Sequence, residues 1–187
     1  GDFYEALSIP AKSIFGRIHA MLGDNGESIR VLEESITAAV RAYGEHHPQV
    51  AELLLNRAQV CVEDMPRHHV EEPLERATAI IMNKIHPTVS EVSALLVAKI
   101  FETRAALCAH YDGDYRQACM HAMNALTIQR RVLGDRHPTC SHTRGMLADI
   151  ALEAGAPMAA LQICDEVIRE RETLAQTFPL DADCQGM

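Results

Sequence analysis

The stretch that decides the fold runs from Gly113 to Pro138 and reads GDYRQACMHAMNALTIQRRVLGDRHP. It opens on a Gly-Asp turn, continues through an Ala-containing helical stretch, and closes on Gly134, a residue type that tolerates the backbone conformation ending a helix. The His-Pro pair that follows suits the start of another helix, because proline at the first helical position loses no hydrogen bond. The stretch therefore predicts one helix between two well-marked turns.

The same turn residues recur along the chain. His-Pro also occurs at 47–48 and 86–87, and Gly23 begins a stretch similar to the one quoted above. In both stretches the first glycine lies 25 residues before a His-Pro proline, and Gly155 lies 17 residues after Pro138. The spacing predicts a repeating unit of 42 residues that contains two helices.

Small residues recur at fixed offsets in these units, as expected where two helices approach closely. One such offset holds Gly16, Ala58, Ala106 and Ala148. The composition agrees with this packing, because 48% of the residues are apolar whereas only 4% are aromatic and Trp is absent. The sequence therefore favours helices packed on helices over a β-sandwich or a barrel.

On these residues the chain resembles the tetratricopeptide repeat, in the 42-residue form seen in kinesin light chains. The resemblance is strongest between Gly113 and Pro138 and covers about residues 8–173. It implies an all-α fold, namely a right-handed superhelical array of about four antiparallel helix pairs. We expect an N-terminal flank at 1–7, units at about 8–46, 47–85, 86–136 and 137–173, and a disordered tail at 174–187.

Two units depart from the family pattern. Met65 replaces the turn glycine of the second unit, and Pro66 and Pro73 follow it, so we expect the second helix of that unit to start near Pro73 and to be short. In the third unit, Gly113 lies 26 positions after Pro87, with no glycine or proline between them. This spacing predicts one long helix from about Thr88 to Tyr111.

The charge balance argues against nucleic acid as a ligand. The chain has 17 Lys and Arg against 26 Asp and Glu, which gives a net charge of −9, and its arginines are scattered. No apolar run reaches the roughly 20 residues that a membrane helix needs, and the N-terminus lacks the features of a signal peptide. We expect a soluble, cytoplasmic protein, and because the sequence begins with Gly we expect it to be part of a longer chain.

The numerous His and Cys residues form no recognisable metal or catalytic motif. Pairs such as Cys108 and His110 are two residues apart and point about 200° apart on a helix, so they cannot hold one ion together. CxxC, HExxH, GxSxG and glycine-rich phosphate loops are absent from the sequence. We therefore expect no metal, no cofactor and no catalysis, with His68 and His69, predicted to lie in a loop, as incidental metal binders at most.

The resemblance also implies a binding surface. In tetratricopeptide arrays the first helix of each pair lines a concave groove that holds an extended peptide or a partner helix. This implies a non-catalytic adaptor or scaffold, with a link to cargo or to the cytoskeleton. The predicted groove residues are Ser13, Arg17, Glu52, Leu55, Asn56, Gln59, Thr103, Arg104, Leu107, His110, His142, Gly145, Met146 and Asp149.

Two of these residues have the most specific predicted roles. The amide of Asn56 can hold a peptide backbone by a donor and an acceptor, and Arg104 can bind a carboxylate bidentately. Because Arg17 and Arg104 are both cations on the predicted inner face, the groove could bind an acidic peptide. The alternative is that Asn56 and Arg104 only satisfy neighbouring backbone or Glu groups. Related arrays hold a C-terminal carboxylate of their ligand with Lys and Asn side chains in neighbouring units. Here the equivalent positions hold Pro10, Ile14 and Ile100, so this clamp is incomplete.

Two other functions stay open. The long helix of the third unit could pair with a second copy or a fixed partner, which would make the chain an assembly piece. The residues of that surface are Val92, Leu95, Leu96, Lys99 and Ile100. Since the 42-residue spacing also occurs in repeat regions fused to signalling ATPases, a regulatory domain of a larger enzyme is the remaining alternative.

Overall fold

The structure is a computed structural model that describes residues 2–62, 65–83 and 91–177, with side chains between residues 8 and 173. All regular secondary structure in these residues is helical. The helices are α1 (Asp2–Met21), α2 (Asn25–Tyr43), α3 (Pro48–Cys61), α4 (His68–Asn83), α5 (Glu91–Leu107), α6 (Tyr115–Leu133), α7 (Pro138–Glu153) and α8 (Pro157–Thr177). None of these helices is long and apolar enough to cross a membrane.

Consecutive helices pack as pairs, which makes the molecule an all-α repeat array. The most extensive contacts join α1 with α2, α3 with α4, α5 with α6, and α7 with α8. Contacts also join α1 with α3 and α3 with α5, so the first helices of successive pairs form one row. The predicted fold class is therefore confirmed.

The turns repeat because the same local hydrogen bonds close them. The imidazole Nδ1 of His47 accepts a hydrogen bond from the backbone N–H of Gln49 at 3.1 Å, and Nδ1 of His137 accepts from Thr139 at 3.2 Å. Each histidine thus caps the helix that its proline begins. The preceding Gly44, at φ 87° and ψ 159°, occupies a backbone region that residues with a Cβ rarely adopt. The His-Pro pairs at 47–48 and 137–138 therefore supply the N-cap and the first residue of α3 and α7.

The core combines Leu, Ile and Val with small side chains that lie where helices approach closely. Ala58, Ala77, Ala118 and Ala125 are fully buried. At Gly16, an added Cβ would lie 3.0 Å from Cγ of Leu32, so the Leu32 side chain would have to shift to make room for a larger residue between α1 and α2. One apolar cluster extends from α1 to α5, and two smaller ones continue through α6, α7 and α8.

Helix α4 differs from its prediction. It begins at His68 and has 16 residues, with Pro73 inside, so the expected short helix starting near Pro73 is wrong, and His68 and His69 lie in its first turn instead of a loop. Proline has no N–H for the carbonyl of His69. Instead, Nη1 of Arg57 on α3 donates to that carbonyl at 3.1 Å. A side chain from the neighbouring helix therefore replaces the missing backbone donor.

The predicted long helix of the third unit is present where the structure describes it. Helix α5 continues without a break into a π-helical turn, Cys108–Asp112, and the predicted start at Thr88 lies outside the described residues. The hydroxyl of Tyr111 in this turn lies 2.6 Å from the carbonyl oxygen of Met65 and 2.9 Å from that of Val62. The π turn thus brings Tyr111 to the end of α3, in the unit where Met65 replaces the usual glycine.

The predicted assembly surface on α5 is not free. Leu96 and Ile100 are 8% and 2% exposed and belong to the same apolar cluster as α3 and α4 residues. Helix α5 turns this face toward α3, so the hypothesis that it pairs with another copy is wrong for these two residues. Val92 is still exposed.

The ends of the described chain are helical. Helix α1 starts at Asp2, within the predicted flank, and α8 continues to Thr177, within the predicted tail. Residues 178–187, which hold the rest of that tail, lie outside the described residues.

Candidate functional site

The row formed by α1, α3 and α5 carries a chain of polar side chains. Nδ2 of Asn56 on α3 donates to the hydroxyl of Ser13 on α1 at 3.3 Å. The ammonium group of Lys99 on α5 donates to Oδ1 of the same amide. Asn56 is only 4% exposed, so its donor and acceptor are used within the molecule. Its partners are the side chains of Ser13 and Lys99, and not the backbone or Glu groups that the alternative named.

Lys99 is the cation of this site, and the sequence did not assign it to the groove. Burial lowers the pKa of its ammonium group, and the charge of Arg17 acts in the same direction, whereas Glu52 and Glu102 oppose the shift. Within the described residues neither Lys99 nor Arg17 has a carboxylate in ion-pair distance. Two cations therefore influence each other here without a direct acidic partner.

The spacing of Ser13, Asn56 and Lys99 in the sequence indicates that Lys99 belongs to the same row. Ser13 and Asn56 are 43 residues apart, and so are Asn56 and Lys99. These three positions lie on successive first helices, so side chains at this interval meet across the row. We refer to Ser13, Arg17, Glu52, Asn56 and Lys99 as the polar row.

Other predicted groove residues belong to the interior. Leu55 and Thr103 are 0% exposed and Leu107 is 7% exposed, so they hold helices together and offer no surface. Gln59 is half-buried. The approach of α5 to α3 closes this part of the groove.

Arg104 is not brought to Asn56. It is half-buried on α5, and its charge, after burial, lowers the pKa of the His121 imidazole on α6. The ring of His121 stacks on Phe101, with ring centroids 5.8 Å apart. Arg104 therefore lies toward α6, and the two residues with the most specific predicted roles do not form one site.

Beside Arg104, the carboxylate of Glu102 holds three helices together. Its Oε1 accepts a hydrogen bond from Nε2 of Gln129 on α6 at 2.8 Å and lies 2.6 Å from the hydroxyl of Thr143 on α7. All three side chains are buried. This cluster is satisfied internally and joins the third unit to the fourth.

The fourth unit presents its predicted residues openly. His142 and Asp149 are exposed on α7, with Gly145 and Met146 half-buried between them. His110 is exposed on the π turn and contacts the ring of Tyr111 edge-on. The exposed residues among those predicted for the groove are thus Arg17 on α1, His110 on the π turn, and His142 and Asp149 on α7.

In the described part of the chain, His, Cys, Asp and Glu side chains form no group of three that could hold a metal ion. The five cysteines described there are free thiols. Burial raises the pKa of Cys61 and Cys140. Both thiols thus favour the protonated form, which is the less nucleophilic one.

No curated protein matches the chain. Similar solved structures include two of Podosopora anserina TPR-like repeats, described as putative kinesin light chain, one of them a single-residue variant. Both are 16% identical to this chain. The match to the variant covers 93% of this chain and 97% of the variant at a TM-score of 0.43, and the other match covers 92% and 97% at 0.42.

Two family models of the tetratricopeptide repeat match the sequence of this chain. A tetratricopeptide-repeat model matches residues 96–169, and a second one matches residues 12–49. Together the two segments cover more than half of the chain and include helices from both halves of the array. Such repeats generally bind other proteins. The chain belongs to the tetratricopeptide-repeat family.

Proposed function

We propose that this chain is a non-catalytic adaptor or scaffold whose concave face binds an acidic segment of a partner protein. The observation that carries the proposal is that the charges of Lys99 and Arg17 influence each other, while neither side chain has a carboxylate in ion-pair distance in the described residues. A carboxylate placed between them would relieve their mutual repulsion and form charge-assisted hydrogen bonds.

The polar row supports the position of such a ligand. Asn56 holds the Lys99 ammonium group from one side, which fixes the cation without neutralising it. Beyond the row, His142 and Asp149 on α7 offer polar contacts for the rest of an extended peptide. A link to cargo or to the cytoskeleton rests on the 42-residue spacing, and it belongs to the same proposal together with a cytoplasmic location.

The test compares a short peptide rich in Asp and Glu with a Lys-rich peptide of equal length, using fluorescence anisotropy at low salt. We expect the acidic peptide to bind and the basic one not to bind. Lys99→Met and Arg17→Ala should each lower the affinity for the acidic peptide about tenfold, which is the loss expected when one charge-assisted hydrogen bond is removed.

The matched control is Arg116→Ala, which removes one exposed cation from α6, outside the polar row. It should leave the affinity within about twofold, because exposed charges at a distance are screened by salt. Equal losses in all three variants would mean that only net charge matters. Equal binding of both peptides by the unmodified chain would overturn the proposal.

A further inference from the structure

Apolar side chains are exposed at both ends of the array. On α1 they are Phe15 and Ile18, which are 49% and 47% exposed and which we call the α1 end stripe. On α8 they are Met158, Leu161 and Ile168, which are 69%, 56% and 53% exposed and which we call the α8 end stripe. Within each stripe the residues are three to seven positions apart, so they share one helix face.

The repeat register shows what the α8 end stripe is built to contact. Helices α2 and α8 follow the equivalent turn glycines Gly23 and Gly155, which both have positive φ. Counted from these glycines, Leu161 takes the place of Ile29 and Ile168 that of Ile36. Ile29 and Ile36 are partly buried against the main apolar cluster, and α2 packs on α3, the first helix of the next pair.

The same register identifies the receiving face on α1. Glu33 on α2 forms an ion pair with Arg57 on α3, with 3.0 Å between Oε1 and Nη2. Counted from Gly23 in the first unit and Met65 in the second, Phe15 takes the place of Arg57. The α1 end stripe therefore includes the position at which α3 receives α2 within the chain.

The charges of the two faces are complementary. From Ser8 to Leu22 the charged side chains are the cations Lys12 and Arg17. Helix α8 carries four carboxylates against two arginines, and its Asp165 takes the place of Glu33 in the register. One carboxylate of this helix pairs with Arg144. Asp165 has no ion pair in the described part of the chain, so it is available to a cation such as Lys12.

We propose that the α8 end stripe of one copy packs on the α1 end stripe of a second copy, which extends the array head to tail. This interface would repeat the contact that α2 makes with α3. It buries Ile18 of one copy and Ile168 of the other and pairs Lys12 with Asp165. Because the two faces differ, the contact is heterologous and each copy keeps one free end.

The experiment measures sedimentation of the full chain from micromolar to millimolar concentration. We expect association that Ile18→Asp and Ile168→Asp each weaken about tenfold or more, because each places a carboxylate in an apolar contact. Mixing the two variants should restore dimers but no larger species, since only one intact pair of faces then remains. Circular dichroism checks that both variants stay folded, as expected for exposed positions.

Met120→Asp is the matched control, because Met120 is 50% exposed on α6, outside both stripes. It should associate like the unmodified chain. A second test combines Lys12→Glu with Asp165→Lys, which should associate more strongly than either single charge reversal. A chain that remains monomeric at millimolar concentration, or a mixture of the two stripe variants that does not associate, would overturn the proposal.

Discussion

At the scale of single residues, Asn56 and Lys99 form a contact that joins three helices of the array. Asn56 links α1 to α5 through Ser13 and Lys99 while remaining almost inaccessible itself. Its replacement by Ala would leave Lys99 with one hydrogen bond fewer, so folding and binding would change together. Lys99 is the more informative position, because its charge depends on pH.

We predict that the stability contributed by Lys99 rises with pH. Its pKa is lowered in the folded protein, mainly by burial, so at high pH the unfolded chain holds this proton more tightly than the folded one. Unfolding then takes up a proton, and the free energy of unfolding increases as pH rises from the folded pKa toward the unfolded value of about 10.4.

Urea unfolding of the unmodified chain and of Lys99→Met, near pH 7 and near pH 10, measures this change. Other groups titrate equally in both proteins, so the difference isolates Lys99. The unmodified chain should gain stability relative to the variant at the higher pH. A difference that does not change with pH, or that changes in the opposite direction, would contradict the burial of this cation.

At the scale of helices, α4 shows how a neighbouring element corrects a local defect. Pro73 takes a backbone donor away from the carbonyl of His69, and Arg57 on α3 supplies another. The same guanidinium pairs with Glu33 on α2. Arg57 therefore contacts residues of two neighbouring helices. With this contact, α4 continues through Pro73, although proline usually ends a helix.

We predict that Arg57 and Pro73 are energetically coupled. Arg57→Met should cost about 1–2 kcal/mol in the unmodified chain, because the carbonyl of His69 loses its donor. In a Pro73→Ala background the new N–H serves that carbonyl, so the cost should fall by about half, and the remainder reflects the exposed pair with Glu33. A double-mutant cycle by urea unfolding measures the coupling.

The control for this cycle is Arg76→Met, which removes an exposed arginine from α4, the helix that contains Pro73. Its effect should add to that of Pro73→Ala without coupling. Additive effects of Arg57→Met and Pro73→Ala would show that the bond from Arg57 to His69 does not compensate for the proline.

At the scale of the whole molecule, packing weakens toward the C-terminal end. One apolar cluster spans α1 to α5, whereas the cluster between α7 and α8 consists of Ala148, Ala151 and Ala160, with Ile163 packed against it. Helix α8 is also held by the ion pair of the buried Arg144 with Glu170. Because a repeat array is stabilised mainly by neighbour contacts, its least buried helix opens first.

We predict that amide hydrogens exchange faster in α8 than in α3, and that Arg144→Met accelerates exchange in α8 about tenfold or more while α3 is unchanged. The loss of the buried guanidinium leaves α8 with mainly alanine contacts, which bury little area. Hydrogen exchange read by mass spectrometry measures both helices at once. Arg171→Met, at an exposed position of α8, should have no such effect, and equal protection of α3 and α8 would contradict the prediction.

Much of the fold could be predicted because its signals are local. The capping bonds of His47 and His137 reach only two residues along the chain, and the glycines of the turns, such as Gly44 and Gly134, have the positive φ that these turns require. Small residues at repeated offsets likewise mark helix contacts within each pair. The sequence by itself therefore determined the repeat, its period and the family.

The tertiary structure decided which of these residues are accessible and which meet. It placed Lys99 beside Asn56, turned Arg104 toward α6, buried Leu96 against α3 and supplied Arg57 to the carbonyl that Pro73 cannot serve. These outcomes depend on the rotation and approach of helices whose contacting residues lie from 12 to 43 positions apart along the chain. A linear pattern does not specify that geometry where a unit carries extra residues, because the side chains of the whole neighbouring pair fix it.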